Sequence, residues 1–472
     1  CSSDLVKIRT ACKKKETTVD AAALGRDYVG SLQLGGARTA GTLAAGEEGA
    51  IALNPGAFDD GLVDGIGPLA RDQWRRATAQ AVLGLIALPR ADPLPLASAR
   101  LLDTRPGEST IDGKQLGGGL APAGSTLVLQ VTGRGAVPAD AAAVVLNVTA
   151  EGGQGPGFVS VFPCDAAQPL TSSLNFVDGA AVANAVITGL SAAGTVCLYV
   201  ATNGVNLIAD VSGYFPASSG YHPLTPARLL DSRPGESTID RAQLGGGLTP
   251  AGSTLVLPVA GRGGVPADVD AVVVNLTADG GHGSGFVTAY ACDAPQPLAS
   301  NLNFTASTPT ANTVVTELSA AGTVCLYVAT NAVNLIVDVN GYFPTGSGYN
   351  ALAPARLLDT RPGEATIDGA QLGAGMTAAG ATLVLPVAGR AGVPADAVSV
   401  VLNVTADGAA GTGFVTVYAC DAPRPLASNL NFVADTATPN AVISKLSADG
   451  TVCLYVATSP VNLIADVSGY FG

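Results

Sequence analysis

Leu101-Leu-Asp-Thr-Arg-Pro-Gly-Glu108 returns as Leu229-Leu-Asp-Ser-Arg-Pro-Gly-Glu236 and again as Leu357-Leu-Asp-Thr-Arg-Pro-Gly-Glu364, 128 residues apart each time. Everything around these octapeptides keeps the same offset. Gly-Thr-Val-Cys-Leu-Tyr-Val-Ala-Thr begins at 194, 322 and 450, and the copies close on Gly213-Tyr-Phe, Gly341-Tyr-Phe and Gly469-Tyr-Phe. A period of this length exceeds a solenoid unit and matches an autonomous domain. The expectation is three self-contained domains in a row, over residues 97–218, 219–346 and 347–472. Pro216-Ala-Ser-Ser-Gly220 and Pro344-Thr-Gly-Ser-Gly348 would be the linkers.

Within a copy the apolar period is two. In the first copy strands are predicted near 100–105, 126–133, 142–150, 157–164, 172–177, 183–190, 195–202 and 205–215, bounded by Gly, Pro, Ala and Asp clusters. Eight short strands per copy predict an all-β chain of three tandem β-sandwiches, with the jelly roll as one form they can take.

Residues 1–96 do not repeat. Residues 1–25 read as a small hairpin closed by Cys1 and Cys12. Residues 26–96 read as strand pieces at 28–34 and 50–53 plus a helix over 69–87, where Trp74, Thr78, Ala81, Val82 and Leu85 share a stripe before Pro89. Trp74 is the chain's single tryptophan, a core residue or an interface anchor. With too few strands to close a sheet, this segment is expected to become stable by packing on a neighbouring domain, and so to serve as the assembly device.

The eight cysteines fit that picture. Cys164 and Cys197, Cys292 and Cys325, and Cys420 and Cys453 are each 33 apart, which leaves Cys1 to pair with Cys12. An even count at repeated spacing predicts four disulfides in an oxidising compartment, hence a secreted or cell-surface protein. A chain starting at Cys rather than Met reads as a processed product. Lipidation of Cys1 is the alternative, and it would strand Cys12.

Charged residues make up only 13% and the net charge is −13. Four of the six lysines lie in the first fifteen residues, and no basic stripe interleaved with aromatics exists, which disfavours nucleic acid. The longest apolar run, 81–89, is too short for a membrane-spanning helix. So little charge leaves neutral surface that tends to become interface.

Val400-Val-Leu-Asn-Val-Thr-Ala406, Ser428-Asn-Leu-Asn-Phe432 and Asp466-Val-Ser-Gly-Tyr-Phe471 join the opening octapeptide and the Val-Cys-Leu-Tyr stretch as a signature over 97–472. It resembles an uncharacterised β-domain recurring in secreted and surface proteins of high-GC bacteria. That resemblance implies location and architecture, not a reaction. Ala11-Cys-Lys-Lys-Lys-Glu-Thr17 resembles a short cysteine-containing unit of bacterial surface and fibre proteins.

The recurring polar set is Asp103/Asp231/Asp359, Arg105/Arg233/Arg361 and Asp210/Asp338/Asp466. An aspartate inside Val205-Asn-Leu-Ile-Ala-Asp-Val needs a partner, so a buried Asp–Arg–Asp network between first and last strands is expected. A ligand or sugar site and a calcium site are the rivals, though the oxygens calcium needs do not gather here. Asn147, Asn275, Asn303 and Asn403 begin Asn-x-Thr triplets. His222 and His282 do not recur, and no nucleophile, metal or phosphate motif is present, so neither enzyme chemistry, cofactor nor metal is expected. The function expected is a structural subunit of an extracellular filament, fibre or surface array, a head-to-tail homopolymer with surface polysaccharide as a second candidate partner. The alternative is a tandem carbohydrate-binding or adhesive module.

Overall fold

The structure, a computed structural model, describes residues 5–9, 16–20 and 93–472 apart from 307. It divides into two units, residues 1–90 and 91–472. In the first, β1 (Leu5–Arg9) pairs antiparallel with β2 (Glu16–Asp20), Leu5 opposite Asp20. Cys1, Cys12, the strand pieces at 28–34 and 50–53, the helix expected over 69–87 and its Trp74 lie outside the described residues.

In the first repeat the strands are β3 (Leu94–Asp103), β4 (Thr126–Gln130), β5 (Ala141–Glu151), β6 (Gly157–Pro163), β7 (Leu174–Phe176), β8 (Val182–Gly189), β9 (Thr195–Ala201) and β10 (Asn206–Pro216). They form two four-stranded antiparallel sheets, ordered β3-β10-β5-β8 and β4-β9-β6-β7. The other repeats reproduce both orders. Alternation explains the pairing of the two sheets: Val196, Leu198 and Val200 of β9 meet Leu146, Val148 and Leu207 of the first sheet in one buried core.

The other face of β5 decides the architecture. Ala143 and Val145 point away from that core, yet they are fully or nearly buried. They join Ile187, Phe215 and their counterparts in a second cluster that draws on all three repeats. Phe215, Phe343 and Phe471 meet there with ring centroids 6.1, 6.4 and 5.8 Å apart. Burying one such ring contributes about 2–3 kcal/mol.

The expectation of three tandem β-sandwiches is therefore wrong. The six small sheets form a six-bladed β-propeller, two blades to a repeat, and the repeats share a centre that no single copy can fill. The stretches read as linkers are tight turns, with the Ser219 amide donating to Pro216 O and that of Ser347 to Pro344 O.

Candidate functional site

On the face of the first sheet turned towards the neighbouring repeat, Arg100 of β3, Asp210 of β10 and Asn147 of β5 stand opposite one another. The row recurs as Arg228, Asp338 and Asn275, and as Arg356, Asp466 and Asn403. Arg100 grips Asp210 with two donors, Nε to Oδ1 at 2.9 Å and Nη2 to Oδ2 at 3.3 Å, and reaches Asp103 Oδ2 from Nη1 at 2.9 Å. Arg105 takes the same Asp103 carboxylate from the other side, at 3.0 and 2.7 Å, and extends Nη1 to Glu151 at 2.8 Å. Arg233 bonds Asp231 at 2.8 Å and Arg361 bonds Asp359 at 2.7 Å in the same way.

The Asp103–Arg105 part of the expected network is thus in place in all three copies, but the partner of Asp210, Asp338 and Asp466 is the earlier arginine. Arg100 is three residues before Asp103, which period-two reasoning puts on the opposite face. The register shifts between Ala209 and Asp210, so that Asp210 faces Arg100 and Leu101 is passed over. This bulge returns Arg100 to the face of Asp103. The Ala-Arg-Leu-Leu-Asp that opens at Ala99, Ala227 and Ala355 was the available signal.

Burial pushes the Asp210, Asp338 and Asp466 carboxyls above the ordinary carboxylate range, against the pull of their arginines. At Asp103 burial acts the same way, but the hydrogen bonds from Arg105 and the charge of Arg100 outweigh it and hold the group low. A second recurring pair escaped sequence reasoning. Arg134, almost wholly buried, donates to Asp112 at 2.8 Å and to the Leu101 carbonyl at 2.7 Å; Arg262 with Asp240 and Arg390 with Asp368 repeat it.

Three of the Asn-x-Thr asparagines face the repeat junctions. Asn275 donates Nδ2 to Ser172 O at 2.7 Å and accepts from Asn184 Nδ2 at 2.9 Å, both in the preceding repeat. Asn403 makes the same pair with Ser300 and Asn312, and Asn147 with Ser428 and Asn440, so the last repeat clasps the first. Each amide nitrogen is buried and engaged, which leaves no room for a glycan.

The remaining sequence candidates are quickly placed. Cys164–Cys197, Cys292–Cys325 and Cys420–Cys453 are disulfides, as expected, and indicate an oxidising environment. His222 stacks on Tyr342 at 5.0 Å. Among the described residues no group of three or more His, Cys, Asp or Glu is placed to hold a metal ion, and no helix is long and apolar enough to cross a membrane. At the junction of the first and second repeats a groove of about 520 Å³ opens between β6–β7 and the segment carrying Arg228, Arg233 and Glu236.

No family model matches the chain, and no curated protein matches it. Among solved structures it is similar to the triple jelly roll of an archaeal virus turret assembly (8% identity, 75% of this chain and 84% of that one, TM-score 0.19). It is also similar to a chain of Sulfolobus Turreted Icosahedral Virus (8%, 75% and 85%, 0.20) and to the CBM22 tandem domain of Paenibacillus barcinonensis Xyn10C (12%, 53% and 100%, 0.17). Overlaps this slight carry no argument about the present chain.

Proposed function

We propose that the chain is a non-enzymatic structural subunit of an extracellular or cell-surface filament, fibre or array, joined head to tail through residues 1–96. One observation carries this reading. The recurring arginines are all held in internal ion pairs, while recurring aliphatic residues face outward. Ile111, Ile239 and Ile367 are each 60% exposed, and Leu170, Leu298 and Leu426 are 85%, 71% and 89% exposed. A body that pairs its recurring cations internally and repeats its apolar contacts outward is suited to meeting other protein surfaces. A head-to-tail contact between identical copies propagates unless it closes.

The test compares the full chain with residues 91–472, cut before β3, by light scattering and negative-stain imaging. Polymers of the full chain with monomers of the shorter one are expected. Polymers of both would move the contacts into the repeats, and polymers of neither would end the filament reading.

A further inference from the structure

The groove between the first two repeats has the chemistry of a ligand site, and its polar residues recur at the other two junctions. Thr277 lines it, on the strand Val269–Asp279. Val272, Val274, Leu276 and Ala278 of that strand enter the repeat's own core, so Thr277, like Asn275, is on the face towards the preceding repeat. Thr277 is 2% exposed, and its hydroxyl has no hydrogen-bond partner. The hydroxyls of Thr149 and Thr405 are likewise buried and unpartnered. Across the groove Asn175 Nδ2 is unpartnered too, and at its counterparts Asn303 and Asn431 the amide is left open at Oδ1. A buried polar atom without a partner is uncommon, and the same pair left open at three equivalent positions asks for an explanation.

Around these atoms donors and acceptors alternate. Arg233 gives Nε and Nη2 to Asp231 and Nη1 to Asp279, which leaves one N–H on each terminal nitrogen for a ligand. Glu236 and Asp279 offer carboxylate oxygens beside them, and the half-buried Phe158 ring supplies an apolar wall. Three carboxylates, those of Asp231, Glu236 and Asp279, face two guanidiniums, those of Arg228 and Arg233, and Arg228 is further tied to the buried Asp338. The excess negative charge opposes an anionic ligand. Neighbouring hydroxyls that both donate and accept, on a ring with an apolar face, suit this arrangement.

We propose that each repeat junction binds one neutral pyranose unit of a saccharide, with Thr149, Thr277 and Thr405 as hydroxyl partners. This goes beyond the structural reading above and stands or falls separately from it.

The test uses the full chain and an array of neutral hexose oligomers with their uronic acid counterparts, followed by calorimetry. At least one neutral oligomer should bind while its uronate does not. The combined variant Thr149→Val, Thr277→Val, Thr405→Val removes hydroxyls that have no partner in the fold. It should therefore melt no lower than the wild type and lose at least about tenfold in affinity, since a hydrogen bond of this kind is worth about 1.4 kcal/mol or more when its loss strands a ligand group. Should that variant misfold, Glu108→Gln, Glu236→Gln, Glu364→Gln, at the exposed rim, gives a second reading with the same expected loss. Absence of binding to every neutral oligomer, preference for the uronates, or unchanged affinity in a folded variant overturns the proposal.

Discussion

Asn440, in the last repeat, donates from Nδ2 to Asn147 Oδ1, in the first, at 2.9 Å and across 293 residues of chain. The same contact runs from Asn184 to Asn275 and from Asn312 to Asn403, so each repeat is held by the one before it and the series has no free end. Replacing Asn275 by Ala strips the Ser172 carbonyl of its donor and leaves one N–H of the Asn184 amide unpaired, the other staying on Ser173 O, in a buried junction, at a cost of about 2–4 kcal/mol. Chemical denaturation would show it, and a loss under 1 kcal/mol would mean that water fills the gap.

Arg228 and Arg233 share Asp231 but differ in consequence. Arg228→Ala also strands Asp338, which is 1% exposed, and is expected to destabilise by about 3–5 kcal/mol. Arg233→Ala leaves Asp231 with Arg228 and removes a half-exposed side chain, so about 1–2 kcal/mol is expected. Equal losses, or the reverse order, would contradict this division of labour between the two arginines.

Because the centre needs a phenylalanine from every repeat, residues 219–346 alone are expected to fold only as a trimer that rebuilds it. Analytical ultracentrifugation with circular dichroism decides the matter. A folded monomer would show that one copy is self-sufficient after all.

Each disulfide closes a loop of 33 residues and should contribute roughly 3–4 kcal/mol in the chain-entropy account. Changing Cys292 and Cys325 together to Ala should lower stability by that amount and leave the other two pairs oxidised in peptide mapping. The same mapping tests the expected Cys1–Cys12 bridge.

Acid sensitivity should come mainly from the Asp112, Asp240 and Asp368 pairs, with Asp103, also held low, adding in the same sense. The Arg134 hydrogen bonds hold Asp112 down to about 2, and Arg262 and Arg390 hold the other two below the ordinary 3.8. A lowered folded value means stability that is present above 3.8 and lost as pH falls through the folded values. Asp210, Asp338 and Asp466, with raised values, act in the opposite sense: their contribution is full below 3.8 and fades as pH rises through the folded values. Melting temperatures should therefore drop between about pH 4 and 2. The combined Asp112→Asn, Asp240→Asn, Asp368→Asn variant should flatten that limb, and an unchanged slope would assign it elsewhere.

The strands themselves were legible. All eight expected in the first copy are found, the first opening six residues earlier than read, at Leu94. The disulfide partners followed from spacing. Closure was not recognised, although a signal lay in Ala142-Ala-Val-Val-Leu-Asn-Val-Thr-Ala150. That stretch is uncharged on both faces, as a strand buried on both sides must be, whereas a solvent-facing sheet would alternate with charge. The Asp–Arg pairing was half legible because a bulge breaks the periodicity on which the reading relied. The unpartnered Thr277 hydroxyl has no signature in the sequence, since its significance lies in what does not approach it.

The triangle of Phe215, Phe343 and Phe471 also constrains heredity. Near-identical tandem copies invite unequal recombination, and an open string of beads tolerates the gain or loss of one. Here a fourth copy finds no vacancy at the vertex, and a deletion leaves two rings facing a void. Copy number is thus a folding constraint: such recombinants should be removed by selection, and change in this chain is confined to substitution within a fixed count of three.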